Sequence, residues 1–171
     1  MSSPTVPAVF LGRDGILIED RGYPHLEAHL NFVPGAVEAV RRLNGLGYLV
    51  VVVTNQSGVA QGMFSEGQME AFNTLMVRRM AAKGARIAAV YACPYSDDAR
   101  DERYFALDHP DRKPNPGMVL KAMEKFQVDP QRSFLIGARR SDLETARRAG
   151  VPGFLFDGIN LDAYLRELLG G

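Results

Sequence analysis

The chain has 171 residues, 46% hydrophobic and 23% charged, with 20 Lys and Arg against 20 Asp and Glu, a composition that excludes disordered, collagenous and coiled-coil classes. That length buries roughly 70% of the surface an unfolded chain exposes, so one domain over residues 1–171 can hold a core without a disulfide or metal staple. Zero formal net charge offers no field for nucleic acid or an anionic membrane, the apolar run Tyr48 to Val53 is far short of the roughly 20 residues of a membrane helix, and a lone Cys93 with no secretory leader points to a cytoplasmic monomer.

After a Ser/Pro/Thr leader, Ala8 to Leu11 reads as a buried strand that stops in the polar turn Gly12-Arg13-Asp14-Gly15. Pro34-Gly35 opens a helix in which Val37, Val40, Leu43 and Leu46 recur at helical spacing, with Gly45 and Gly47 closing it. Tyr48 to Val53 is β-branched and apolar on both faces, the pattern of a buried parallel strand, and it ends at Thr54-Asn55-Gln56-Ser57-Gly58. Ser65 is placed to cap a helix from Glu66 to Lys83, with Met76 and Met80 as core filling, and Ile87 to Cys93 reads as a third strand. Pro94 to Pro116 lacks any apolar period and reads as a long loop of the kind that often carries function. A helix over Gly117 to Phe126, a strand over Ser133 to Ile136, a helix from Ser141 to Ala149, a strand over Phe154 to Phe156 and a helix over Leu161 to Leu169 complete the pattern.

Strands alternating with helices predict an α/β fold, a three-layer Rossmann-like sandwich around a parallel sheet. Polar clusters at the carboxyl ends of strands one, two and four then converge on one crevice, where open α/β sheets bind ligands. Taken singly, each cluster has a plain reading. Asp14-Gly15 suits a turn, Thr54 a strand end, Arg112-Lys113 a solvated pair, and Asp142 a helix start as readily as a metal neighbour. His25 and His29 read as loop histidines, Cys93 as a buried thiol, and Arg147 and Arg148 as a solvated helix face.

Together, Phe10-Leu11-Gly12-Arg13-Asp14-Gly15-Ile16, Thr54-Asn55-Gln56-Ser57-Gly58, Arg112-Lys113-Pro114-Asn115-Pro116-Gly117 and Gly137-Ala138-Arg139-Arg140-Ser141-Asp142 resemble the haloacid dehalogenase (HAD) superfamily of phosphatases. More closely, they resemble its D-glycero-D-manno-heptose-1,7-bisphosphate phosphatase and histidinol-phosphatase group, along residues 8 to 157. The resemblance implies a HAD sandwich with no large cap domain, hydrolysing a phosphorylated sugar with Mg²⁺. In that family the first strand ends in Asp-x-Asp, the first carboxylate attacking phosphorus and the second protonating the leaving oxygen. Asp14 matches the second, whereas the nucleophile's position is Gly12.

The resemblance also places a Mg²⁺-holding Asp where Ala138 stands, leaving Asp142 and the Asp14 backbone carbonyl as metal neighbours, so Mg²⁺ binding is expected to be weakened or absent. Thr54 and Lys113 match the family's phosphoryl-binding hydroxyl and cation, and Arg13, Asn55, Gln56 and Arg112 are candidate substrate contacts. The group's zinc loop, Cys-x-His then Cys-x-Cys, is represented by Cys93-Pro94-Tyr95 and His109-Pro110-Asp111, so zinc is not expected. Two classes stay open. One is a heptose-bisphosphate-type phosphatase that has lost its nucleophile and a metal ligand, with phosphate or a sugar phosphate as its partner. The other is a non-catalytic pseudoenzyme that binds a phosphorylated metabolite or scaffolds.

Overall fold

A parallel strand covered on both sides is apolar at nearly every position, and this is how the central strands of the computed structural model, which describes residues 5–170, are built. β1 (Ala8–Leu11), β2 (Leu49–Asn55), β3 (Ala89–Cys93), β4 (Phe134–Gly137) and β5 (Gly153–Leu155) form one sheet in the order β3-β2-β1-β4-β5, with every neighbouring pair parallel. The leader ahead of Thr5 lies outside the described residues.

Residue alternation divides the core. Val9, Leu11, Val50, Val52 and Ile136 face one side, with α1 (Ala36–Gly45), α2 (Glu66–Ala82) and α5 (Leu161–Leu168). Ala8, Phe10, Val51, Val53 and Leu135 face the other, with α3 (Gly117–Phe126) and α4 (Arg140–Ala149). The three layers expected from the alternating pattern are therefore present. Met76 and Met80 are fully buried on the inner face of α2, and Ser65 caps that helix by accepting from Gln68 N at 3.0 Å, while Gln68 Oε1 accepts from Ser65 N.

The differences from expectation lie at element ends. β2 runs on through Thr54 and Asn55 because both pair with β3, Thr54 opposite Ala92 and Asn55 opposite Cys93. β3 begins at Ala89 instead of Ile87, and β4 and β5 are each shifted by one residue. Single 3₁₀ turns at Glu27–His29, Glu102–Tyr104 and Pro130–Arg132 have no apolar period to announce them. No cap domain interrupts the layers: residues 12–35 and 94–116 hold nothing larger than one such turn.

β1 is short, and its first amide is held outside the ladder. Ala8 N donates to Ser133 Oγ at 2.9 Å, and that hydroxyl donates to Asp129 O at 2.6 Å. Ser133→Ala leaves the buried Ala8 amide without an acceptor, so it is expected to destabilise the fold by about 1–3 kcal/mol. A lower urea midpoint at unchanged m-value checks this.

Candidate active site

Because all strands are parallel, the turns after β1, β2 and β4 open on one edge, where a cleft of about 320 Å³ is lined by Gly12, Asp14, Thr54, Asn55, Lys113, Asp142 and their neighbours. Each group arrives there for a local reason. After β1 the chain folds tightly on itself, with the Arg13 carbonyl accepting from the amides of Ile16, Leu17 and Ile18. Gly15 sits in this turn at φ +82, a conformation that favours glycine. Gly12 has ordinary backbone, and a Cβ there would lie 3.2 Å from Ile16 Cγ1, so a side chain at 12 asks Ile16 to yield only a few tenths of an ångström.

Lys113 is the centre of the polar arrangement. Its Nζ donates to Asp142 Oδ1 at 2.6 Å and to the Val53 carbonyl at 3.1 Å, and the pair is nearly dry, with side-chain exposures of 10% and 7%. Asp142 Oδ2 accepts from the amides of Ala138 and Arg139 at 2.9 and 3.0 Å, capping the start of α4. The helix-start reading of Asp142 is therefore met, and the same carboxylate stands at the cleft. Gly137 makes room for it, since a Cβ at 137 would fall 2.2 Å from Asp142 Cβ.

The structure brings every candidate residue to this edge, in different states of commitment. Asn55 is turned to the loop: its Nδ2 donates to Lys113 O and its Oδ1 accepts from Lys113 N, at 3.2 and 3.0 Å. Gln56 is 3% exposed and donates to Asn55 O, and its Oε1 has no hydrogen-bond partner among the described residues. Thr54 is buried at the cleft floor, its hydroxyl reaching only Asn55 O at 3.5 Å. Arg13 is the largest departure, a guanidinium turned inward onto Asp14, Asn73 and the Pro24 carbonyl. Arg139 reaches Asp20 across the rim at 3.7 Å. Arg112 donates to Tyr95 O at 3.1 Å and has no carboxylate partner among the described residues, so it is the cation most available to an entering anion. Asp20, Gly22 and Tyr23, on the segment after the first turn, also line the cleft. Gly22 and Tyr23 both adopt positive φ, and no apolar period in the sequence announces this segment.

Beside the cleft, Cys93 Sγ lies 3.9 Å from His109 Nδ1, and that nitrogen accepts from Asp111 N at 3.0 Å. Tyr95 stacks on the His109 ring at 4.3 Å, and Lys121 pairs with Asp111. Among the described residues no three His, Cys, Asp or Glu side chains stand together as a metal-holding group. His29 Nδ1 accepts from the amides of His25 and Leu26, and His25 stacks on Phe64, so both histidines brace the loop that carries them.

Asp142→Ala removes the Lys113 partner and orphans two amides, so a loss of about 3–5 kcal/mol is expected, larger than for Lys113→Met, which leaves those amides capped. Chemical denaturation of the two variants checks the ranking. Burial pushes the Cys93 thiol above its ordinary range. Alkylation at pH 8 is therefore expected to be slow in the native chain and fast in denaturant, read as mass gain over time.

With this geometry in hand, three comparisons place the chain. The haloacid dehalogenase-like hydrolase family model matches residues 8–150. The D-glycero-beta-D-manno-heptose-1,7-bisphosphate 7-phosphatase of Rhodopseudomonas palustris is 42% identical over 169 residues, 98% of this chain and 93% of the relative. That of Pasteurella multocida is 38% identical over 144 residues, 84% and 77% of the two chains. The D,D-heptose 1,7-bisphosphate phosphatase of B. bronchiseptica, solved with magnesium and phosphate, superposes with a TM-score of 0.80 at 27% identity, covering 95% of this chain and 98% of that one. A parallel sheet with its polar turns gathered at one edge, matched along nearly the whole chain, makes this protein a member of the haloacid dehalogenase-like hydrolases.

Proposed function

We propose that the chain binds a phosphorylated sugar of the heptose-bisphosphate type in this cleft and, with the residues it carries, hydrolyses it negligibly. The observation that carries the reading is Gly12 at the end of β1, where no carboxylate stands to attack phosphorus, in a cleft that still gathers Thr54, Lys113 and Asp14. The curated relatives named heptose-bisphosphate phosphatases support the substrate class, and Arg112 and the Thr54 hydroxyl supply the donors a phosphoryl group takes. One domain, acting as a cytoplasmic monomer without nucleic acid, is part of the same proposal.

The family's phosphatases use Mg²⁺, and the donors here do not fit a tight site for it. Mg²⁺ takes oxygen ligands in octahedral array. Gly12 and Ala138 offer no side-chain oxygen, both Asp14 oxygens accept from Arg13, and both Asp142 oxygens are already bonded. Zinc is likewise absent from the proposal, since Tyr95 and Asp111 stand where the loop would need softer ligands. A non-catalytic binding role evolved from an active phosphatase is the second reading, favoured by the same missing carboxylate.

The test is phosphate release from heptose 1,7-bisphosphate and a panel of sugar phosphates with Mg²⁺, comparing this chain with its Gly12→Asp, Ala138→Asp double variant. The double variant is expected to exceed the unmodified chain by at least about 10³-fold, since losing a covalent nucleophile costs several powers of ten in rate. Comparable turnover by the unmodified chain overturns the inactive reading. If neither turns over although both fold and bind phosphate, the binding role stands alone.

A further inference from the structure

Arg13 is 1% exposed, and a guanidinium that deep is stable only if its charge and its N–H groups are matched. It makes four hydrogen bonds: Nε to Asp14 Oδ1 at 2.7 Å, Nη2 to Asp14 Oδ2 at 3.2 Å and to Pro24 O at 3.0 Å, and Nη1 to Asn73 Oδ1 at 2.8 Å. Its Cζ also lies 4.8 Å over the Phe72 ring. These partners come from three segments: the turn after β1, the rim segment that carries Tyr23, and the middle of α2.

Asn73 is the unexpected member. It is 7% exposed on a helix face whose other buried residues are Met69, Phe72, Met76 and Met80, and its one side-chain hydrogen bond goes to Arg13. A buried amide on an apolar face is unfavourable unless it is bonded. The bond it makes selects a single rotation of the guanidinium plane, the one in which Nε and Nη2 both face Asp14. In that rotation one edge of the planar fork meets both Asp14 oxygens while Nη1 reaches Asn73. Asp14 keeps an edge on the cleft, with 20% of its side chain exposed.

We infer that Arg13 is a positioning residue, anchored by Asn73 on α2, that sets the carboxylate of Asp14 at the angle the cleft requires. This rests on the reading of Asp14 as the proton-carrying group of the cleft. It also removes Arg13 from the cations that meet the ligand.

The experiment uses the Gly12→Asp, Ala138→Asp background with a sugar phosphate and adds Asn73→Leu, Asn73→Asp or Arg13→Lys. Asn73→Leu is expected to lower kcat about 10- to 100-fold, the effect of misplacing a reacting group by about 1 Å, with KM changed by less than about 3-fold. Asn73→Asp, which keeps an acceptor at the same place, restores kcat to within about 3-fold of the background. Arg13→Lys keeps the buried charge but not the fork, and falls as Asn73→Leu does. An unchanged kcat in Asn73→Leu, or a rise in KM alone, overturns the inference. If the background itself shows no turnover, the reading of the cleft as a phosphatase site short of two carboxylates has failed, and crystal structures of the unmodified chain and of its Asn73→Leu variant decide the positioning question. Asp14 displaced from the fork by about 1 Å or more supports it. Asp14 still held at both oxygens refutes it. Should Asn73→Leu not fold, Arg13→Lys is read in the same two ways.

Discussion

The contact on which the cleft depends is the bond from Lys113 Nζ to Asp142. The ammonium ties the end of β2, through the Val53 carbonyl, to the first turn of α4, and Asn55, at the end of the same strand, clamps the Lys113 backbone. A charge this dry needs a counter-charge at short range. Asp142 supplies it at 2.6 Å while still capping its helix. The same carboxylate therefore holds two loops in register and cannot leave Lys113 without exposing a buried cation.

Much of this architecture could be read from residue order because parallel strands leave a strong mark. Val50 to Val53 are apolar at consecutive positions, and the structure sends alternate members to opposite layers. Ser65 with Gln68, and the two core methionines of α2, follow from local rules of the same kind. The convergence of the four polar clusters was legible too, since strand direction alone decides which ends meet. What each side chain does on arrival was not. Arg13, Asn55 and Gln56 look alike as candidate contacts, and only long-range partners separate them: Asn73 lies 60 residues from Arg13, and Lys113 lies 58 from Asn55. One signal was available and passed over. An asparagine at the buried stripe of Met69, Phe72, Met76 and Met80 is a polar residue in an apolar period, and such a residue implies a buried partner.

The segment beside the cleft illustrates how a loop keeps its shape on different chemistry. Tyr95 against His109, the His109 nitrogen accepting from Asp111 N, and Lys121 on Asp111 form a small packed knot at the end of β3. Stacking and one ion pair fix the loop that delivers Arg112 and Lys113, and Arg112 returns a hydrogen bond to the Tyr95 carbonyl. The loop's conformation and the cleft's cations are thus parts of one continuous set of contacts.

Gly137 and Gly12 stand at the ends of adjacent strands and are constrained in opposite ways. At 137 any side chain would collide with Asp142, whereas at 12 the backbone is ordinary and only Ile16 stands near. Scaffold and reactivity are therefore written at separate addresses in this chain. On the proposed function, single-base changes at codons 12 and 138 would travel between a reactive and an unreactive cleft while Gly137, the helix cap and the Lys113 clamp stay in place, so selection on folding alone would be blind to which state a lineage occupies.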